Sequence, residues 1–198
     1  MKLVLATQNP KKLKEMNEIL SHLGVEVVSE AELGVRIEVE ETGETFTDNA
    51  RLKATAVMQV TGLPAVADDS GLCVDALNGG PGVYSARFGG EGLDDKGRYT
   101  LLLEMLRGQT DRAAHFHTSI VCAFPNGDEL VCEGECPGTI AFAPMGEGGF
   151  GYDPVFFVPE LRKTFGQLTA EEKASVSHRG KALRAFAAAL DDYLKGNE

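Results

Sequence analysis

Basic residues are in short supply in this chain. Lys and Arg number 19 against 30 Asp and Glu, a formal charge of −11 with a pI near 4.9, which excludes a general nucleic-acid binder, whose electrostatic footprint is basic. Long apolar runs are missing too. Uncharged stretches are short: Ala54 to Ala67, for one, is broken by Gly62 and Pro64 and falls short of the roughly 20 residues a bilayer span needs. At the N-terminus the apolar run Leu3 to Ala6 gives way to polar Thr7, Gln8 and Asn9 with no small-residue cleavage site behind it. Neither a membrane anchor nor a secretory leader is expected, and a cytoplasmic location is. Cysteines are few, namely Cys73, Cys122, Cys132 and Cys136; in a chain this long from a reducing compartment they read as buried free thiols rather than bridges or a zinc site. Glycine is what the chain has in excess, 23 of 198 residues against a usual ~7%. The length suits one domain, with room for two lobes, that buries roughly 70% of its unfolded surface.

The hydrophobic pattern alternates between two periods. Leu3 to Thr7 reads as a strand. Asn9 then offers an N-cap, Pro10 suits the first helical position, and Leu13, Met16, Leu20 and Leu23 follow at helical spacing. A short strand around Val25 to Val28 precedes an acidic segment, Glu38 to Glu44, and then a second helix whose Thr45 and Asp48 have capping-box spacing and which carries Lys53. Pro64 to Ala67 reads as a buried strand ending at Asp68-Asp69-Ser70-Gly71, with turn chemistry from Asp75 to Gly82 after it. A helix over Leu93 to Leu106 follows, then a strand from Ala114 to Phe124 turned by Asn126-Gly127 into a partner over Leu130 to Glu133. Beyond the glycine-rich loop Gly146 to Gly151 comes a strand over Val155 to Val158. Thr169 and Glu172 make a second capping box, and Leu183, Phe186, Leu190 and Leu194 line one face of a last helix that Gly196 stops. Helices and strands that alternate early, with a hairpin in the middle, give an α/β class with a mixed sheet flanked by helices.

Five clusters carry candidate chemistry. Thr7-Gln8-Asn9-Pro10-Lys11-Lys12 is a polar turn between a strand and a helix N-terminus, a place that favours an anion such as phosphate; an ordinary capped helix with solvated lysines is the alternative. Of the adjacent Asp68 and Asp69, strand alternation turns one toward a cleft, where it could bind Mg2+ or orient a water, and leaves the other to tie down the loop. Turn-forming aspartates are the bland reading. The acidic run Glu38, Glu40, Glu41 is either a solvated face or a source of further metal oxygens. Gly148-Gly149-Phe150-Gly151-Tyr152-Asp153-Pro154 lets backbone approach a ligand and offers an aromatic stacking face. Lys173 with Ser177-His178-Arg179-Gly180 sets cations at a helix start, where a bound anion or an electron-rich base explains them better than stability does. His115 and His117 share a strand face but no third ligand accompanies them, so both read as structural or surface residues.

Taken in order, LATQNPKK, EETGETFTDNARLKA, ADDSGL, GGPGVYSARF, GGFGYDP and EEKASVSHRGKAL resemble the inosine triphosphate pyrophosphatase family, from about Leu5 to Leu183. That family commonly has glycine in the turn where this chain has Gln8. The resemblance implies an elongated two-lobed α/β fold, one domain over residues 1–198, with a nucleotide cleft between the lobes and commonly a homodimer. It implies Mg2+-dependent hydrolysis of non-standard purine nucleoside triphosphates such as ITP, dITP and XTP to the monophosphate and pyrophosphate. Carried over residue by residue, Thr7, Gln8, Asn9, Pro10, Lys11 and Lys12 cradle the triphosphate; Asp69 is the catalytic carboxylate and a metal ligand; Glu40 is a second metal ligand. Lys53 and Lys173 contact phosphate, Ser70 assists at the substrate, Phe150, Gly151, Tyr152 and Asp153 line the base and sugar pocket, and His178 with Arg179 hydrogen-bonds the purine.

Elementary chemistry agrees with that reading. Attack at phosphorus needs charge neutralisation and positioning more than covalent chemistry, and a chain at −11 must concentrate Lys12, Lys53, Lys173 and Arg179 locally to hold a tetra-anion. Alternatives of other classes stay open at this stage. A pyrophosphatase for another modified nucleotide shares every motif. A non-catalytic nucleotide-binding module keeps the lysines but has no use for Asp69 with Glu40. An aspartic-type protease uses Asp69 in a symmetric dimer and leaves the lysines unexplained.

Overall fold

The computed structural model describes residues 1–7 and 9–196. Seven strands form one mixed sheet in the order β2-β1-β3-β4-β5-β6-β7: β1 Lys2–Leu5, β2 Glu26–Ser29, β3 Ala65–Val74, β4 Ala113–Ala123, β5 Glu129–Ile140, β6 Phe156–Val158 and β7 Lys163–Thr164. β1 pairs parallel with β2 and β3, whereas β6 pairs antiparallel with β5 and β7. The helices are α1 Pro10–Leu20, α2 Phe46–Thr61, α3 Asp95–Met105, α4 Ala170–Val176 and α5 His178–Gly196. Contacts group the chain into two compact units, and the boundaries fall inside β3, β4, β5 and α5.

The first unit comprises residues 1–69, 118–134 and 182–198. Its parallel strands are short and apolar, as strands covered on both faces must be. Leu3 and Leu5 of β1 bury one face against Met16 and Leu20 of α1 and Leu183, Phe186 and Leu190 of α5. Val4, between them, points to the other face and meets Val28, Val57 of α2 and Ala65. The helix signals hold in detail. Asn9 accepts from the Lys11 N–H at the start of α1 with Pro10 behind it, and Thr45 accepts from the Asp48 N–H at the start of α2. In place of a full capping box, the Thr45 hydroxyl returns a hydrogen bond to the Asp48 carboxylate at 2.7 Å.

The second unit comprises residues 70–117 and 135–181. Leu72, Leu102, Phe116, Ile140, Phe156 and Phe165 form its core. Phe116 stacks flat on Phe165, ring centroids 5.6 Å apart, and meets Phe156 edge-on at 4.6 Å. Asp94 caps α3 by accepting from the Gly97 N–H, and the Thr169/Glu172 capping box forms as the sequence suggests. Buried Arg112 joins the end of α3 to the end of β5, donating to the carbonyls of Leu106, Ile140 and Ala141. All four cysteines are free thiols. Among the described residues no helix is long and apolar enough to cross a membrane.

Candidate active site

In the first unit the chemistry gathers at the carboxyl end of the parallel strands, where open α/β sheets place their ligands. β1 stops at Leu5, opposite Val66 of β3, and the chain turns away through Ala6 and Thr7. β3 runs on as strand through Asp68, Asp69 and Ser70. The sequence suggested a strand ending before the aspartates and a turn made by them; instead they stand in the middle of a ten-residue strand. The sheet's backbone pairing carries them there, overriding the turn preference of Asp, Ser and Gly. Alternation gives the two carboxylates opposite surroundings. Asp68 is buried and accepts from Lys12 Nζ at 2.8 Å, whereas Asp69 remains partly open.

Asp69 sits among α2 side chains. The Asn49 amide donates to its Oδ2 at 3.1 Å, and Lys53 Nζ lies 3.9 Å from its Oδ1. Lys53 is held harder by Glu41, at 2.6 Å. Glu41 therefore, and not its neighbour Glu40, reaches the lysine from the acidic loop, and Glu40 is exposed. A cleft of about 280 Å³ opens beside this cluster, lined by Ala6, Thr7, Glu30, Glu38, Lys53 and Val57 among others. Thr7 Oγ1 accepts from the Asn9 N–H at 3.2 Å. The helix start itself has little left to offer an anion, because Asn9 occupies the Lys11 N–H and Pro10 has none to give. Lys11 is exposed, and Gln8 lies outside the described residues. Among those residues no three His, Cys, Asp or Glu side chains are grouped closely enough to hold a metal ion by themselves.

In the second unit the glycine-rich loop is tied down by two carboxylates. Asp153 accepts from the Phe150 N–H at 2.8 Å, and Asp95, in the first turn of α3, accepts from the Gly151 N–H at 2.7 Å. Asp153 is buried and also takes Lys173 Nζ at 2.5 Å; burial pushes its carboxyl above the ordinary range while Lys173 pulls it back. Gly149 is required at its place, since its φ is +78° and a Cβ would collide with the Asp153 carboxylate. Tyr152 is buried as well, its hydroxyl donating to the Ser85 carbonyl at 2.8 Å and its pKa pushed up to about 12 by burial. Tyr152 and Asp153 thus hold the loop from inside, and Phe150 is left as its exposed aromatic at 76%. Lys173 Nζ lies 4.7 Å from the centre of the Phe150 ring. His178 opens α5, half-buried, with its ring stacked 4.7 Å from that of Phe116; Arg179 beside it is also half-buried, and Ser70 is exposed. His117 Nδ1 lies 3.0 Å from a Glu135 oxygen, away from any metal-like cluster.

Sequence reasoning missed Asn49, Glu41 as the partner of Lys53, and Asp95. The first two stand inside motifs that were recognised as blocks. Asp95 is brought to the loop by the fold from 56 positions away and carries no local signal.

A dITP/XTP pyrophosphatase of an Exiguobacterium species is 50% identical over 99% of this chain and 100% of its own length, and one of Escherichia coli O157:H7 is 51% identical over 96% and 98%. Among solved structures, a HAM1 protein of Coxiella burnetii superposes with a TM-score of 0.93 at 43% identity, covering 97% of this chain and 99% of its own. The Staphylococcus aureus Ham1 protein does so at 0.91 and 40%, covering the whole of both chains. The sequence model of the Ham1 family matches residues 3–189, and the chain belongs to that family.

Proposed function

We propose that this protein is a nucleoside triphosphate pyrophosphohydrolase that takes non-standard purine nucleotides, ITP, dITP and XTP, to the monophosphate and pyrophosphate. Near-full-length relatives at about half identity that bear the name dITP/XTP pyrophosphatase support it. The observation that carries it in this chain is the Lys53 cluster: a cation between Glu41 and Asp69, beside a cleft that Thr7 lines, at the carboxyl end of parallel strands. A protease or a passive binding module has no use for that arrangement.

In this reading Asp69 takes the proton of a water whose oxygen attacks the α-phosphorus. The bond to the bridging oxygen breaks, and pyrophosphate leaves with the electron pair. Lys53, Lys12 and Lys11 hold the phosphates, with the Thr7 hydroxyl and the Asn9 side-chain amide of the turn as further donors. Lys12 and Lys53 come to that task already paired with Asp68 and Glu41, so they are oriented before substrate arrives. Lys173 acts at phosphate while also neutralising Asp153, and Ser70 assists at the substrate. Phe150 supplies the stacking face, Gly151 leaves backbone open beside it, and Tyr152 and Asp153 set the loop's shape. His178 and Arg179 donate to the purine.

The donor set fits Mg2+. Asp69 and Glu40, with Glu41 alongside in sequence, offer hard oxygens of the kind Mg2+ takes, and waters and substrate phosphates would complete its shell. When bound, Mg2+ supplies charge neutralisation at the phosphates. The protein is further proposed to work as a cytoplasmic homodimer without nucleic-acid partners. Light scattering at about twice 21.2 kDa supports the dimer, and a monomer mass rejects it.

The test is a panel of nucleoside triphosphates assayed with and without EDTA, with pyrophosphate and orthophosphate measured separately. Stoichiometric pyrophosphate from ITP, abolished by EDTA and restored by Mg2+, is the expected result. Orthophosphate as first product, or no turnover of any nucleotide, rejects the reading.

A further inference from the structure

Asn49 is buried completely, yet it is polar and uses both ends of its amide. Its Oδ1 accepts from the Gly43 N–H at 2.8 Å, and its Nδ2 donates to Asp69 Oδ2 at 3.1 Å. One side chain on α2 therefore ties two things together: the acidic loop, whose Glu41 holds Lys53, and the carboxylate on β3. The loop is fitted to this contact. A Cβ at Gly43 would stand 2.7 Å from Asn49 Oδ1 and 2.6 Å from the Asp48 Cβ, so only glycine lets the backbone come this close. On the Asp69 side the amide engages Oδ2 while Oδ1 faces Lys53. The Asp69 carboxylate is thereby fixed in rotation about its own axis, with one oxygen committed to the scaffold. A buried Asn with only packing to do would be replaceable by an apolar residue; this one uses the single donor-acceptor geometry that satisfies a backbone N–H and a carboxylate together.

We infer that Asn49 is a positioning residue for the reaction, acting through Asp69: it sets the orientation of the carboxylate and locks that orientation to the loop that carries Glu41. The inference rests on the pyrophosphohydrolase reading for its chemistry, since it assigns Asp69 the proton-accepting role. Positioning of this kind is worth a large factor in turnover, because displacement of a reacting group by about 1 Å can cost a hundredfold.

Asn49→Asp keeps the shape and the oxygen that accepts from Gly43 but replaces the donor to Asp69 with a second carboxylate. In folded Asn49→Asp, kcat for ITP is expected to fall at least about tenfold, while KM stays within about threefold and ITP affinity measured by calorimetry in EDTA is unchanged. The swapped double variant Asn49→Asp/Asp69→Asn restores a hydrogen bond of reversed polarity. Its melting temperature should recover toward that of the parent while its activity stays at the level of Asp69→Asn alone. Where Asn49→Asp is too unstable to purify, Asn49→Ser, which adds no charge, is read by the same criteria. A parental kcat in the folded variant overturns the inference. So does a loss that follows KM and affinity instead of kcat, or a double variant no more stable than Asn49→Asp. Failure of the parent protein to release pyrophosphate from ITP strikes the functional reading instead.

Discussion

Asp68 and Asp69 are neighbours in the chain with opposite surroundings, and the difference is the strand's alternation. Asp68 is buried on Lys12; Asp69 keeps an open side between Asn49 and Lys53. Asp69→Asn is therefore expected to keep the fold and lose at least about a hundredfold in kcat/KM, whereas Asp68→Asn acts through the order of Lys12. Steady-state rates on ITP with melting curves for both variants decide it, and near-parental turnover by Asp69→Asn rejects the catalytic assignment. Lys173 makes a second residue-level test. It neutralises a buried carboxylate, so Lys173→Ala should destabilise the protein by about 1–3 kcal/mol near neutral pH. Asp153 has a folded-state pKa above its ordinary value of 3.8, which means the folded protein holds that proton more tightly than the unfolded chain does. Stability linked to it is full below the ordinary value and is lost as pH rises through the raised one. Without Lys173 the folded value rises further. The deficit of Lys173→Ala should thus shrink as urea unfolding is moved from about pH 7 to about pH 4.5; an equal deficit at both contradicts the pairing. Asp69, to which the catalytic role is proposed, and the lysines are legible in the sequence because charged residues beside apolar runs and helix starts are locally conspicuous. Asn49 was not, since an Asn in a helix reads as any polar residue until the carboxylate it faces is known.

The elements were read best where local chemistry decides them. Asn9-Pro10, Thr45 and the Thr169/Glu172 pair are caps whose hydrogen bonds close within three residues, and all three start helices. Asn126-Gly127 turns β4 into β5, with the Phe124 N–H donating to the Asp128 carbonyl at 3.0 Å. β3 and β5 are longer than their sequences suggest, because Asp-Asp-Ser-Gly and the stretch after Glu133 look like strand breakers on local propensity. Both are held as strand by neighbours distant in sequence. The junction of α4 and α5 offers an element-scale test. Gly180 lies in the first turn of α5, where alanine is ordinarily preferred by up to about 1 kcal/mol. A Cβ there would run into the Ala174 carbonyl of α4. Gly180→Ala should accordingly destabilise the protein, by about 1–3 kcal/mol, and lower its melting temperature; a gain in stability would mean the helices can part without cost.

At the scale of the whole molecule a charge of −11 must be reconciled with a highly anionic substrate. Pairing is how the cations are kept in place: Lys12 with Asp68 and Lys53 with Glu41 in the first unit, Lys173 with Asp153 in the second. These pairs join positions far apart in sequence, so the cations were visible beforehand but their partners were not. Salt should weaken substrate capture only modestly, since the attraction is local and partly buried rather than a long-range field. Base selectivity is the claim that separates this protein from a generic triphosphatase. Donors aimed at a 6-keto oxygen meet an amino group in adenine, and such mismatches in a site built to hydrogen-bond reach the order of 10⁴ in discrimination. Guanine keeps the 6-keto group, so its 2-amino group must be what is refused. The most direct measurement is kcat/KM for ITP, XTP, ATP and GTP on the unmodified protein, followed by pyrophosphate release. ITP and XTP far ahead of ATP and GTP, with the ITP-to-ATP gap narrowed in Arg179→Ala, is the predicted result; comparable values for ITP, ATP and GTP would contradict it.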